Sequence, residues 1–526
     1  MPLTTLPTDI LILILASLSI TDLASLSQTC SLLHSLVTEF GWAAYSRLHP
    51  RPSHSLSHAR RKWSAYTQVQ HDYLTDKAWK STEFIARPLS RTWAGKQQPT
   101  LAITPTRLVV AAGTNLYSYV FGCKSSKPSI SFEGVVNLDD PLVRGRNITS
   151  VTFLDDGELD STLLVAYQEQ RVEIITLIPV HGNNNQQRGP GLTFRRTRHA
   201  AFPQDDYVES FSTSRHHLLS ISSNGTARFL YQGGVVPSTE SESSPPTPSA
   251  RIDLNERSWT CHLSMDASTP FAAFGTSGKT PLTVYSISQD RMSPLPEYIL
   301  LSKKYGDTSI SLDSLPSLAV YGITRAPLSS PFGASPQVLA SGWFDGQVRI
   351  YDLRASESRL TAPSSPSQTT PSSSSSSSSA TILSPILTLQ DRWSPEPIYT
   401  LSSGGGSSAH IAAGTARHSV VSFWDTRSPR LGWSVHAPGN DRSPVFDVIL
   451  ESSRCFGVTE ARPFVYDFGP NPSLDAYPTL TPNRELAAVT QPPRGQRQYH
   501  REGIKYKPNL MTYEVAKYTH ASSGLS

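Results

Sequence analysis

The side chains in this sequence that are best suited to chemistry are adjacent histidines, a glycine run and paired aspartates. His216 and His217 form the most obvious metal-binding pair, but neighbouring residues on a strand point to opposite faces, so the two rings do not converge easily. Residues 404–406 are three glycines, yet they lead from one predicted strand to another, without the helix that follows a phosphate-binding loop. We interpret them as a flexible hairpin loop. The acidic pairs lie in predicted turns, where aspartate caps its own backbone: Asp139 and Asp140, Asp155 and Asp156, Asp205 and Asp206. No pattern predicts a catalytic residue, and the chain is expected not to be an enzyme.

The overall composition argues against several further functional classes. The chain has 526 residues, enough for two to four domains, and 38% of them are hydrophobic. A formal charge of +4 is too small for this length to predict nucleic-acid binding. The cysteines are far apart and form neither a metal-ligand pattern nor a disulfide framework: Cys30, Cys123, Cys261 and Cys455. We therefore expect no metal, no cofactor and no nucleic-acid partner, and a location in the cytoplasm, the nucleus or both.

With chemistry unsupported, the most informative stretch is residues 6–45, which predicts a compact helical module. Pro7 ends an extended lead-in, and Thr8 is a good N-cap for a first helix. The residues from Ser19 to Asp22 match a capping box and predict the start of a second helix. Each helix carries an apolar stripe at three- and four-residue steps: Ile10, Leu11, Ile14, Leu15 and Leu18 in the first, and Leu23, Leu26, Cys30, Leu33 and Val37 in the second.

Two short helices joined by so little chain cannot cover both apolar stripes with each other. Fully burying one Leu or Ile is worth ~1.5–3 kcal/mol, so uncovered stripes predict a partner. A signal peptide fits less well, because no Lys or Arg precedes the apolar run and Asp9 lies at its edge. The run is also shorter than the roughly 20 residues of a membrane span, so we expect no membrane partner. A helical hairpin packed onto the rest of the chain is the remaining alternative.

The same stretch resembles the F-box. The pattern is carried by Leu6, Pro7, Ile10, Leu11, Ile14, Leu15, Leu18, Asp22, Leu23, Leu26, Gln28, Cys30 and Trp42. The resemblance implies that residues 1–48 dock to the Skp adaptor of a Skp–cullin–F-box ubiquitin ligase. The residues that this resemblance expects at the adaptor interface are Leu6, Pro7, Ile10, Leu11, Ile14, Leu15, Leu18, Leu23, Leu26, Cys30 and Trp42.

Residues 49–81 continue as helix-compatible sequence and are interpreted as a helical linker. Trp63, Tyr66 and Trp79 are expected to pack the F-box module onto the following domain. The basic residues from Arg60 to Lys62 fit a solvated helix face better than a nucleic-acid site.

From about residue 82 the hydrophobic period changes from helical to strand-like. The sharpest unit is residues 338–354, VLASGWFDGQVRIYDLR, in which Asp345 and Gly346 predict a tight hairpin turn between two strands. This unit resembles the core of a WD repeat, with Tyr351 and Asp352 in place of the Trp-Asp pair. Similar units recur seven times, at residues 108–121, 163–177, 218–231, 271–287, 338–352, 411–425 and 455–467. The repeats predict a seven-bladed β-propeller over residues 82–470, since a closed ring removes exposed strand edges.

Three polar inserts interrupt the repeats and are expected to be disordered: residues 181–190, 236–250 and 361–384. The last includes eight consecutive serines, which cannot bury apolar area. The repeat pattern ends before residues 471–526, which we interpret as a polar tail.

These predictions combine into a non-enzymatic substrate receptor. The F-box would bind the Skp-type adaptor and through it a cullin–RING ligase, and the propeller would present a protein substrate for ubiquitin transfer. Its physical contribution is a raised effective concentration of a substrate lysine near the conjugating enzyme. No substrate-binding residue is predicted by the sequence. The alternatives are a propeller scaffold that binds the adaptor without directing ubiquitin transfer, and a propeller enzyme with its site in the central channel.

Overall fold

The computed structural model describes residues 6–124, 127–139, 147–180, 191–198, 206–231, 250–289, 291–303, 314–355, 380–430, 432–439, 442–470, 472 and 474–480. Within these residues, an N-terminal helical unit precedes a much larger β-rich unit. The predicted mainly β architecture with N-terminal helices is confirmed. No helix in these ranges has the length and apolar character needed to cross a membrane.

The helical unit consists of short helices, followed by one long one. Its elements are α1 (Thr8–Ala16), α2 (Ile20–Ser27), α3 (Ser31–Leu36), a π-helical turn (Val37–Gly41), α4 (Trp42–Leu48), α5 (Ser57–Lys62) and α6 (Ala65–Ser81). The capping box is present at α2, where Ser19 Oγ accepts from Asp22 N at 3.3 Å and Ser19 N donates to Asp22 Oδ2 at 3.4 Å. Two local predictions were wrong. Thr8 is the first helical residue rather than the N-cap, because Pro7 with φ −54° and ψ 145° supplies the extended entry. The predicted second helix is broken after Ser27.

The core of the helical unit is formed by side chains from both of its ends. Its buried members are Leu11, Leu15, Leu23, Leu36, Val37, Trp42 and Val69. Val69 belongs to α6, so the long helix is part of the same core as the short ones. The F-box-like helices are therefore continuous with the predicted linker rather than tethered by a flexible segment.

The β-rich unit contains the following strands. They are β1 (Ile85–Pro88), β2 (Thr100–Ile103), β3 (Arg107–Ala112), β4 (Asn115–Lys124), β5 (Lys127–Asn137), β6 (Ile148–Phe153), β7 (Thr162–Tyr167), β8 (Val172–Val180), β9 (Gly191–Arg198), β10 (Val208–Ser214), β11 (His217–Ser222), β12 (Thr226–Tyr231), β13 (Ala250–Asp253), β14 (Ser258–Ser264), β15 (Phe271–Gly278), β16 (Leu282–Ser288), β17 (Arg291–Met292), β18 (Tyr298–Leu300), β19 (Leu318–Arg325), β20 (Val338–Trp343), β21 (Gln347–Asp352), β22 (Thr381–Leu383), β23 (Leu387–Gln390), β24 (Ile398–Gly404), β25 (His410–Thr415), β26 (Val420–Asp425), β27 (Trp433–His436), β28 (Val445–Leu450), β29 (Arg454–Thr459) and β30 (Pro463–Asp467).

These strands form sheets in a propeller-like arrangement, and all their pairings are antiparallel except that of β18 with β22. Five sheets in the described residues have four strands each: β2–β5, β6–β9, β10–β13, β24–β27, and β28–β30 completed by β1. Strands β14–β23 form one ten-stranded sheet, so five separate four-stranded sheets are present where seven blades were predicted. Within the large sheet, β15 and β19 are joined only by the pairs Ser277–Ala319 and Gly278–Leu318.

The first and last parts of the β-rich unit meet in one sheet. β1 pairs with β30, with Ile85 opposite Asp467 and Pro88 opposite Phe464. The first strand of each repeat contacts the first strand of the next, through β2, β6, β10, β14, β19, β24 and β28, and β28 returns to β2. This continuous set of contacts places the first strands around a common centre.

Several second strands are buried on both faces, because neighbouring sheets cover them on either side. β3, β7, β20, β25 and β29 are buried along their whole lengths. In β20, therefore, buried and exposed residues do not alternate. The hairpin turn itself is confirmed: Gly346 has a φ of +79° and its N–H donates to Trp343 O at 3.1 Å.

Two of the predicted inserts are shorter than the sequence suggested. Ala250 begins β13 and pairs with β12, and residues 381–383 form β22, which pairs in parallel with β18. Ala250 and residues 381–383 therefore belong to sheets through backbone pairing, although polar residues flank them in the sequence. Residues 181–190, 236–249 and 361–379 lie outside the described residues, as do most of residues 471–526. At the start of that segment, Tyr477 is buried and its hydroxyl donates to Asp467 Oδ2 at 2.7 Å.

Trp79, near the end of α6, fixes the helical unit to the β-rich unit. Its Nε1 donates to Ser452 O at 2.9 Å, and its ring stacks on Phe468 with centroids 3.7 Å apart. A Cβ added at Gly405 or Gly406 would lie 3.1 or 3.2 Å from the indole, and both glycines have positive φ. The glycine run, predicted as a flexible hairpin loop, therefore accommodates an aromatic ring.

Glu451 forms a second connection between the two units. Its carboxylate follows β28 and accepts hydrogen bonds from His54 N at 2.6 Å, Ser55 N at 3.2 Å and Ser53 Oγ at 3.2 Å. The hydroxyl of Ser55 donates to the same carboxylate. Glu451 and Ser55 are both buried, so the Glu451 carboxylate, rather than water, accepts the hydrogen bonds of Ser55 in the segment that follows α4.

Arg51 connects the segment after α4 to α6 through contacts with two aspartates. Its guanidinium donates to both carboxylate oxygens of Asp76, each at 2.7 Å, and its Nε lies 3.7 Å from Asp72 Oδ2. Burial opposes the charge of Arg51, but the hydrogen bond and charge of Asp76 outweigh it, and the pKa of Arg51 is raised. The helical unit is thus held at a fixed orientation to the sheets.

Candidate protein-binding surfaces

The apolar N-terminal surface separates into buried and accessible residues. Of those predicted at the adaptor interface, Leu11, Leu15, Leu23 and Trp42 are buried in the core of the helical unit. The others are half-buried or exposed: Leu6, Ile14, Leu18 and Leu26 are half-buried, and Pro7, Ile10 and Cys30 are exposed. Leu11, which was expected to be uncovered, is covered by the unit itself. The accessible set is what the helices leave open to a partner.

Two exposed leucines extend this surface and were not predicted. Leu13 on α1 is 68% exposed, and Leu32 on α3 is 46% exposed. The signal in the sequence is that residues 10–15 are apolar on every side of the helix, whereas one stripe suffices for packing on one core. Exposed large apolar side chains concentrated on one small unit indicate a protein-binding surface.

A second candidate surface lies where the first strands of the sheets meet. In six of these strands, the pairing with the second strand skips one residue near the strand start, which is a β-bulge. The skipped residues are Thr149, Glu209, Trp259, Tyr321, Tyr399 and Phe446. All six are half-buried, so each is partly accessible to solvent. A bulge redirects the side chain of the skipped residue. Because the six first strands follow one another around a common centre, we call the six skipped residues a ring.

Four consecutive members of this ring are aromatic and touch one another. Trp259 and Tyr321 meet edge to face with centroids 4.8 Å apart, and Tyr321 lies 5.3 Å from Tyr399. Tyr399 in turn lies 6.3 Å from Phe446, and Phe344, which is 53% exposed, lies 6.3 Å from Tyr321. We call these five residues the aromatic arc.

Arg257 and Glu209 form an ion pair at one end of the aromatic arc. The guanidinium carbon of Arg257 lies 4.1 Å from the ring centroid of Trp259, and its Nη2 lies 2.9 Å from Glu209 Oε2. Burial raises the pKa of Glu209, and the Arg257 charge only partly offsets that effect. Burial also raises the pKa of the Tyr321 phenol, so it stays protonated at neutral pH. The surface is therefore aromatic and locally neutral.

The side chains considered first for chemistry have structural roles. Asp156 accepts from the backbone N–H groups of Asp160, Ser161 and Thr162 at 2.9 Å each; burial opposes its charge, but these hydrogen bonds lower its pKa. Such contacts are typical of a carboxylate that orders a turn. The other predicted pairs lie partly outside the described residues.

The two adjacent histidines do not converge. His216 Nδ1 lies 2.9 Å from Asp155 at the surface, whereas His217 stacks on Phe229. Within the described residues, no group of three or more His, Cys, Asp or Glu side chains is arranged to hold a metal ion.

Comparison with known proteins agrees with the N-terminal assignment. The F-box-like family model matches residues 3–46. The chain therefore carries an F-box-like domain at its N terminus, followed by a β-propeller-like, β-rich fold. No curated protein sequence matches it.

Among solved structures, the chain is similar to one from the crystal structure of the mitotic checkpoint complex, at 14% identity and a TM-score of 0.45. That match covers 72% of this chain and 90% of the other. It is also similar to Chaetomium thermophilum Sqt1 bound to the N-terminus of the ribosomal protein L10, at 13% identity and a TM-score of 0.43, over 69% of this chain and 81% of the other.

Proposed function

We propose that this chain is the substrate-recognition subunit of a Skp–cullin–F-box ubiquitin ligase. In this proposal the F-box-like domain binds a Skp-type adaptor, and the propeller-like domain binds a protein substrate without catalysing a reaction. The observation that carries the proposal is the apolar surface left open on a unit that is fixed to the sheets through Trp79 and Glu451. Such a substrate-recognition subunit would act in the cytoplasm, the nucleus or both, where cullin ligases assemble.

The accessible residues define the proposed adaptor interface. Pro7, Ile10, Leu13 and Leu32 are exposed, and a partner that covers them gains ~25 cal/mol for each Å² of apolar surface removed from water. Buried residues of the predicted set, such as Leu23, contribute by holding the helices in position. The fixed junction at Trp79 and Glu451 supports a role in positioning, because a rigid connection sets the distance between adaptor and substrate.

A pull-down with a purified Skp-type adaptor tests this interface. Ile10→Asp places a charge on the exposed apolar surface and is expected to weaken adaptor binding at least tenfold without changing the melting temperature. The double change of Leu6 and Pro7 to Ala is expected to act in the same direction. Leu48→Asp is the matched control, because Leu48 is exposed but lies beyond residues 3–46. Wild-type binding by Ile10→Asp would contradict the proposal.

Co-purification separates ligase function from the scaffold alternative. The wild-type chain is expected to recover a cullin from cells, and Ile10→Asp is expected to recover none. Adaptor recovery without any cullin would instead favour a scaffold that does not direct ubiquitin transfer.

We further propose that the sheets form seven blades. Support comes from the ten-stranded sheet, which contains two successive sets, β14–β15–β16–β18 and β19–β20–β21–β23, joined by two residue pairs. Counting these as separate blades gives seven first strands, each in contact with the next. Asp447 supports ring closure, since it accepts from Leu101 N at 2.9 Å and Thr400 Oγ1 at 3.1 Å and thereby links β28 to both neighbours. An experimental density map with another number of blades would refute this count.

A further inference from the structure

The aromatic arc has the composition of a binding site, and its features are independent of the F-box-like domain. Trp and Tyr are enriched among the residues that dominate protein interfaces, because they bury a large area at little entropic cost. The bulge repeats in six strands, but aromatic residues occupy it only in the four consecutive strands β14, β19, β24 and β28. The site therefore covers four consecutive first strands rather than all seven.

The spacing of the rings suits an extended peptide. Successive centroids along Trp259, Tyr321, Tyr399 and Phe446 are 4.8, 5.3 and 6.3 Å apart. Alternate side chains of an extended chain lie on the same face, roughly 6.6 Å apart, which is comparable with this spacing. In the part of the chain that the structure describes, the hydroxyls of Tyr321 and Tyr399 make no hydrogen bond, so they are available to a peptide backbone.

The charges around the arc select against a phosphorylated ligand. Arg257 contacts the arc, and its guanidinium lies close to both the Glu209 carboxylate and the Trp259 ring. Arg349 is buried, and its Nη2 lies 2.6 Å from Asp345 Oδ2. Asp345 follows Phe344 in the hairpin turn. A phosphate placed here would meet cations that are already neutralised and carboxylates that repel it.

We propose that the aromatic arc binds an extended, unphosphorylated peptide segment of a partner protein through aromatic or aliphatic anchor side chains. The inference rests on the proposed function only in identifying that partner as the substrate. Apolar anchors would lie over Tyr321, Tyr399 and the exposed Phe344, and the Arg257–Glu209 pair would border the site.

The test uses the full-length chain and two synthetic libraries of 12-residue peptides. The libraries share randomised positions and differ only in a central serine, which is unmodified in one and phosphorylated in the other. We expect enrichment of aromatic and aliphatic residues from the unmodified library. Fluorescence anisotropy then gives the Kd of the best unmodified peptides, and preferential enrichment from the phosphoserine library would overturn the proposal.

Variants connect that binding to the arc. Phe344→Ser and Tyr321→Ser are each expected to weaken the best unmodified peptides about tenfold or more. Phe132→Ser is the matched control, because Phe132 is 41% exposed and lies on β5, outside the arc. Equal Kd values for all three variants and the wild type would overturn the proposed site.

A gain of function tests the charge argument. Glu209→Gln removes the carboxylate partner of Arg257 and is expected to increase binding of phosphoserine peptides relative to their unmodified counterparts. An unchanged preference would show that this ion pair does not exclude phosphate. Adaptor pull-down on the same preparations keeps the two proposals distinguishable, because it depends on Ile10 and its neighbours and not on the arc.

Discussion

Removing the Glu451 carboxylate is expected to loosen the helical unit while leaving the sheets folded. In Glu451→Ala, the N–H and the hydroxyl of buried Ser55 both lose their acceptor. A buried donor left without a partner costs ~1–3 kcal/mol, so these two groups together give about 2–6 kcal/mol. The N–H of His54, which donates at 2.6 Å, adds less because His54 is exposed.

Hydrogen exchange of the full-length protein measures this effect where it occurs. We expect faster exchange in residues 50–56 and in α6, and unchanged exchange in β29, which is buried throughout. Glu451→Gln keeps one carbonyl acceptor and should give an intermediate effect. Glu39→Ala is the control, because Glu39 is an exposed glutamate of the same helical unit. If Glu451→Ala exchanges like the wild type in α6, the junction does not depend on this carboxylate, and the reasoning is refuted.

Two further predictions concern the sheets. Trp424 is buried, and Trp424→Ala should cost ~3–5 kcal/mol of the free energy of unfolding and lower the melting temperature. The control Trp393→Ala, at an 81% exposed position, should change stability by less than about 0.5 kcal/mol. Equal melting temperatures for the two variants would contradict this prediction. Asp467 is buried against Arg454 at 2.8 Å; burial opposes its charge, but the arginine lowers its pKa. Its stabilising effect is therefore present at neutral pH and lost as the pH falls below about 4. Asp467→Asn should cost ~3–5 kcal/mol in urea unfolding at pH 7, with a smaller difference from wild type in acid; a pH-independent difference would contradict the ion-pair explanation.

Local features were predictable from the sequence where a few adjacent residues determine them. The capping box at Ser19 and the hairpin turn at Gly346 depend on hydrogen bonds within four residues, and both are present. Trp343 shows the limit of such reasoning, because its position beside the turn fits either a core residue or a surface contact. It is fully buried and its Nε1 donates to Ser341 Oγ at 2.7 Å, while the exposed aromatic of that turn is Phe344.

The candidate sites were only partly predictable, because exposure depends on the whole fold. The F-box resemblance located the apolar surface, but it did not distinguish buried Leu11 from exposed Leu13. The aromatic arc depends on a bulge in each of four first strands, and strand register is determined by the pairing of segments rather than by either segment alone. The contact of Glu451 with His54 joins residues 397 positions apart, a separation that no local pattern reveals.

The pairing of β1 with β30 determines when the β-rich unit can close during synthesis. The residues of β1 leave the ribosome early, yet their partner strand ends at Asp467. At ~5–20 residues per second, the ring closes roughly 20–80 s after β1 has been made. The core of the helices from α1 to α4 is completed by residues near the start of α6, namely Ala65, Tyr66 and Val69. Under the proposed function, a chain that terminates before β30 would have the proposed adaptor surface but an open ring, and it would compete for the adaptor without delivering a substrate.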